Sequence, residues 1–287
     1  MDQKKYKSVV DKIRKWAAGK ADRDLEVFLL PAKKRLEEYL EDRMEVTNEI
    51  MKIVYINNDL NVNSWWNYHK YLDLQFNGSN EEDAFPYLLE AMEFRILRNV
   101  FGYTKPQNIG SVNEGQLACC ICDAIFLSDP LLDKLIIGYQ ENMGKKPPQL
   151  NPQSVIQYAH ALYFHLQNKA WDPGKFYKKP LIKQYSDLLK NINADVEIFT
   201  EVLNVACDFH LERSKNSPSF EFNLEEDMVI PSELLATLKL RKDSGVQLPA
   251  TLHPLLLPYR ELIFNTFKVN TSLFYKTVRK KIEHEFL

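Results

Sequence analysis

Cys119, Cys120 and Cys122 fall within four residues, a run of thiols able to bind a metal or carry redox chemistry. Residues three apart share a helix face, so Cys119 and Cys122 could touch one ion. A structural zinc site needs two more ligands. No second Cys pair follows, and His160 and His165, five apart, fall on different sides of a helix. Cysteine is also among the residue types most often buried. The run therefore reads as core packing, with no metal and no cofactor expected.

The six histidines are followed by Lys, Ala, Leu, Leu, Pro and Glu, so no His-Asp pair of a metal-dependent phosphohydrolase occurs. His284-Glu285 lies too near the end to complete a His-Glu-x-x-His zinc motif. His160, His165 and His210 stand among aromatic and apolar residues, the setting of structural histidines. Glycine-rich phosphate loops and a Gly-x-Ser-x-Gly elbow are absent. Acids cluster at Glu81-Glu82-Asp83 and Glu225-Glu226-Asp227. Acid–base work requires burial or a partner to separate their pKa values, and consecutive acids in polar surroundings read as solvated. The chain is not expected to be an enzyme.

Charge is distributed unevenly beneath a net value of -2. Residues 1–20 hold seven basic and two acidic side chains, a balance of +5. Residues 186–233 hold eleven acids against Lys190, Arg213 and Lys215, a balance of -8. Such a field suits capture of an oppositely charged partner. Glu221, Glu225, Glu226 and Asp227 are the expected partner-binding residues, opposite a basic protein surface. Nucleic acid is not expected: the sequence pI is about 6.3, and no reader motif accompanies Lys276, Arg279, Lys280 and Lys281.

Elements that would position these residues are helical throughout. Tyr6, Val9, Val10, Ile13, Trp16 and Ala17 repeat at three and four in a lysine-rich first helix. Pro31 opens a long helix predicted to reach about Asn57, and Ser64 caps the next, which stops at Asn77-Gly78. A further helix runs from Asn80 to Gly102. Ser111 to Glu114 has capping-box spacing before the cysteine helix. Helices are expected near 174–190 and 193–214, over 231–243, and near 255–267 and 271–286, with a short extended piece at Phe220 to Phe222. The expected fold is all-α, a multi-helix bundle or irregular stack of helix pairs. It forms one helical domain over 1–287, with a subdomain break near 144–151, where Gly144 to Pro148 interrupt the pattern.

The longest central apolar run, Leu117 to Cys122, falls far short of the roughly 20 residues of a membrane span. The start lacks a secretory apolar stretch, and three clustered cysteines do not suggest a disulfide framework. A cytoplasmic protein that does not engage membrane is expected.

One stretch has a more distinctive layout. Met228-Val229-Ile230-Pro231-Ser232-Glu233-Leu234-Leu235-Ala236 is followed by Leu238-Lys239-Leu240-Arg241, then Gly245, then His253-Pro254-Leu255. This reads as a lead-in strand or loop, a proline-started helix, a glycine stop and a second proline-bearing turn, together capping the helical core. After a run of paired helices, the layout resembles the immunity protein 49 family of bacterial polymorphic toxin systems, over about residues 226–257. The resemblance implies a protein that binds a cognate toxin stoichiometrically and covers its active surface. A helical adaptor or scaffold for another protein is the alternative.

Overall fold

A computed structural model describes residues 3–77, 81–104, 114–145, 154–172, 177, 179–217, 220–265 and 271–287. Helices run in order as α1 (Gln3–Ala17), α2 (Lys20–Asp24), a π-helical turn (Leu25–Leu29), α3 (Leu30–Leu40), α4 (Glu49–Phe76), α5 (Glu81–Thr104) and α6 (Glu114–Leu127). There follow α7 (Leu132–Lys145), α8 (Ser154–Leu166), α9 (Lys183–Lys190), α10 (Val196–Arg213), α11 (Glu225–Val229) and α12 (Ser232–Asp243). A 3-10 turn (Leu257–Tyr259), α13 (Arg260–Phe264) and α14 (Leu273–Phe286) complete the order. Among the described residues there is no strand, only an isolated bridge between Ser214 and Phe222. The fold is all-α.

Two compact units divide the chain. Residues 1–13, 112–132 and 140–267 form the first, and 14–111, 133–139 and 268–287 the second. The break expected near 144–151 falls largely outside the described residues, as does the Ser111 capping box.

In the first unit α12 packs against α6, α8, α10 and α13. Leu234, Leu235, Ala236 and Leu238 are buried, and so are Ser232, Glu233, Thr237 and Arg241. A helix buried on every side needs apolar residues all round or internal partners for its polar ones. The expected capping hairpin is thus corrected: α12 is the centre of its unit. Gly245, at φ +73°, ends it, with Val246 N–H donating to Arg241 O at 3.2 Å. That bond pattern needs a left-handed residue, which glycine adopts without steric cost.

The second unit is built on the α4–α5 pair, with α2, α3 and the π-helical turn on α4, and α14 on α5 and α3. Asn48 Oδ1 caps α4 by accepting from Met51 N–H at 3.0 Å. Here the expected helix from Pro31 to Asn57 is overturned. It breaks after Leu40, where Asp42 takes φ 55° and Arg43 N–H donates to Glu38 O at 2.7 Å. The next cap is likewise misplaced: Ser64 lies buried inside α4 and donates to Ala91 O on α5 at 2.9 Å. Gly102 is no stop either, since α5 continues to Thr104. By contrast Gly138 is a packing requirement, because a Cβ there would stand 2.6 Å from Tyr103 Cβ.

Candidate functional site

Three of the four expected partner-binding acids are interior. Glu221 is 3% exposed, Glu226 8% and Asp227 1%. Glu221 accepts from Arg213 Nε at 2.6 Å. Glu225 is half-buried and accepts from Asn216 Nδ2 at 2.9 Å. The reason is local: α11 is a single turn whose residues Glu226 to Val229 are all buried, so the acids turn inward with Met228 and Val229. The expected exposed patch at 221–227 is therefore corrected. A buried carboxylate steers no partner through water, and reversing its charge disrupts the interior first.

Glu233 joins this interior set. Fully buried on α12, its Oε1 lies 2.8 Å from His210 Nδ1 and 3.3 Å from the Tyr185 hydroxyl. His210 Nε2 faces Met228 O at 3.2 Å, and a carbonyl can only accept. Nε2 is thus placed to donate to that carbonyl, and Nδ1 faces the carboxylate. Tyr185 stacks on Tyr158 with centroids 4.4 Å apart, and the Tyr158 hydroxyl meets Thr237 Oγ1 at 2.7 Å. Arg241, also buried, donates to Ile192 O at 2.6 Å and Gln247 O at 2.7 Å. These groups fix α12 against α9 and α10. Enclosed on all sides, they offer no opening for a substrate.

All four cysteines are buried, and none is joined in a disulfide. Burial pushes the Cys207 thiol up, and the Glu233 charge adds to the effect. Among the described residues, no group of three or more His, Cys, Asp or Glu side chains is arranged to hold a metal. His160 is buried with Nδ1 2.6 Å from the Tyr177 hydroxyl, and burial lowers its pKa to about 4. In the second unit, burial lowers His69 to about 3, with Lys20 contributing. No described helix is long and apolar enough to cross a membrane.

The exposed part of the acidic region lies on α10. Its interior face carries Phe199, Leu203, Ala206, Cys207, His210 and Leu211. On another face, Ile198, Glu201, Val202 and Val205 recur at i, i+3, i+4 and i+7, a second stripe at helical spacing. Ile198 is 48% exposed and Val205 53%. Asp195, Glu197, Glu201 and Glu212 are exposed around this stripe. Glu201 and Val205 face α9 across a cleft lined also by Val202, Lys183, Gln184 and Asp187, of about 260 Å³. A total charge count missed this face. The available signal was apolar periodicity on two sides of one helix.

A different surface stands out in the second unit. Val27, Phe28 and Leu30 are 63%, 47% and 50% exposed at the π-helical turn. Phe28 packs edge-on against Trp65 at 5.7 Å. Single exposed apolar residues are ordinary, but three together with an adjoining Trp have the composition of a binding surface.

Comparison of the chain with protein-family models, with curated proteins and with solved structures finds no match.

Proposed function

We propose that this protein acts by stoichiometric binding: it neutralises a cognate bacterial toxin by covering a basic surface around the toxin's active site. The observation that carries this reading is the outer face of α10, where exposed Ile198 and Val205 lie among Glu197, Glu201 and Glu212. Apolar groups supply contact area, while the surrounding acids speed encounter with a cationic partner and disfavour others. The likeness of residues 226–257 to the immunity protein 49 family supports the same reading. A cytoplasmic setting belongs to it, in keeping with four cysteines that form no disulfide.

The test is co-expression with the toxin domain encoded by the neighbouring gene. Growth rescue together with an equimolar complex on gel filtration supports the proposal. A neighbourhood without a toxin-bearing protein, or toxicity unaffected by this chain, sinks it. The adaptor reading is favoured by the Val27, Phe28 and Leu30 surface. Under that reading Phe28→Asp abolishes partner capture, while charge changes on α10 leave it intact.

A further inference from the structure

We infer that the cleft between α9 and α10 receives an arginine side chain from the basic partner. The inference rests on α10 being the docking face and adds the chemistry of the group that enters it. Val202 and the half-exposed Val205 form an apolar wall, and Lys183, Gln184, Asp187 and Glu201 supply the polar groups. Asp187 is already engaged, with Oδ2 2.6 Å from Lys183 Nζ. Glu201, in contrast, has no hydrogen bond or ion pair to any described residue. Its carboxylate is a vacant acceptor pair beside apolar side chains.

Arginine matches both halves of such a cleft. Its aliphatic stem lies along apolar surface while its planar guanidinium engages a carboxylate through two parallel hydrogen bonds. Lys183 and Asp187 pair with each other at 2.6 Å and offset one another, which leaves the Glu201 carboxylate as the uncompensated charge of the lining. A volume of about 260 Å³ lies below the roughly 300–1,000 Å³ typical of whole small-ligand sites. One protruding side chain suits it better than a metabolite.

The probe is a capped pentapeptide with arginine at the centre of four glycines, compared with its citrulline counterpart, which keeps the shape and loses the charge. Backbone amide shifts of the full-length protein are followed at low salt. The expected result is saturable shifts concentrated at Gln184, Glu201, Val202 and Val205. Affinity should fall about tenfold with citrulline, and by a similar factor in Glu201→Gln, as loss of a charge-assisted bond implies. Circular dichroism of Glu201→Gln should match the parent, since the side chain is exposed. Absence of saturable shifts in the cleft, or equal affinity for both peptides, overturns the inference, as does equal affinity in Glu201→Gln. Toxin rescue that persists alongside such a failure removes the cleft assignment and leaves the proposed function standing. Specific arginine binding without rescue removes the toxin reading instead.

Discussion

Glu233 shows how a carboxylate can serve the interior of a protein rather than its surface. With Oε1 against both His210 and Tyr185, it is the shared acceptor of two elements flanking α12. Glutamine with its amide nitrogen in the Oε1 position can donate one hydrogen to Nδ1 of a His210 that carries its hydrogen on Nε2 and the other to the Tyr185 hydroxyl oxygen, so Glu233→Gln keeps both contacts. Alanine strands both partners and opens a cavity. Urea denaturation should show Glu233→Ala losing about 3–5 kcal/mol and Glu233→Gln less than about 2 kcal/mol. Equal losses would mean that the bonds contribute little.

The buried histidines predict a loss of stability in weak acid. His160 is lowered to about 4 and His69 to about 3, chiefly by burial, against an unfolded value near 6.5. Below pH 6.5 the unfolded chain takes up protons that these folded side chains refuse, so stability falls as pH falls. Each histidine withdraws about 2 kcal/mol between pH 6.5 and 5, and the loss continues towards its own folded pKa. Urea midpoints should therefore drop across that interval, and drop less in His160→Gln. Identical pH slopes in parent and variant would show that His160 does not titrate in this way.

At the scale of elements, helical periodicity and most of the helices were legible in the sequence, while several ends were not. Glycine and proline are the stops a sequence reader looks for. Three helices here end instead on left-handed Asp42, Ser128 and Asn168. In each case the following N–H bonds back five residues: Arg43 to Glu38, Asp129 to Ala124 and Lys169 to Phe164. Short polar side chains tolerate that conformation, so their identity alone does not announce a stop. Burial was harder still to read. The acids of α11 and α12 carry the same formal charge as those of α10, and only packing separates interior from surface. Thus Glu225, Glu226 and Asp227 looked like a solvated cluster, and the outer stripe of α10 was hidden within one regional total.

Close approach of α7 to α5 within the second unit gives a test at this scale. Gly138→Ala places a methyl group 2.6 Å from Tyr103 Cβ, where no flexible tip can move aside. The helices must separate, and stability should fall by about 1–3 kcal/mol in chemical denaturation. A neutral or stabilising substitution, as helix propensity alone would favour, would show that this contact relaxes freely.

For the whole molecule, the acidic residues divide into two sets with different work. Glu221, Glu226, Asp227 and Glu233 are buried in the first unit, where Glu221 meets Arg213 and Glu233 meets His210 and Tyr185. Glu197, Glu201 and Glu212 face solvent beside an apolar stripe that folding leaves uncovered. Binding through the second set is the central claim, and it makes a kinetic prediction. Exposed charges act mainly on encounter, and salt screens them over a Debye length of about 8 Å at physiological ionic strength. The most direct measurement is the stopped-flow association rate of this protein with the toxin domain encoded beside it. Parent and a Glu197→Lys, Glu201→Lys, Glu212→Lys triple variant would be compared at low and high salt. Association of the variant should be slowed about tenfold or more at low salt, with the two rates converging as salt rises and the variant's helical content unchanged. Equal rates at low salt, together with loss of binding in Phe28→Asp, would contradict it and move the interface to the π-helical turn.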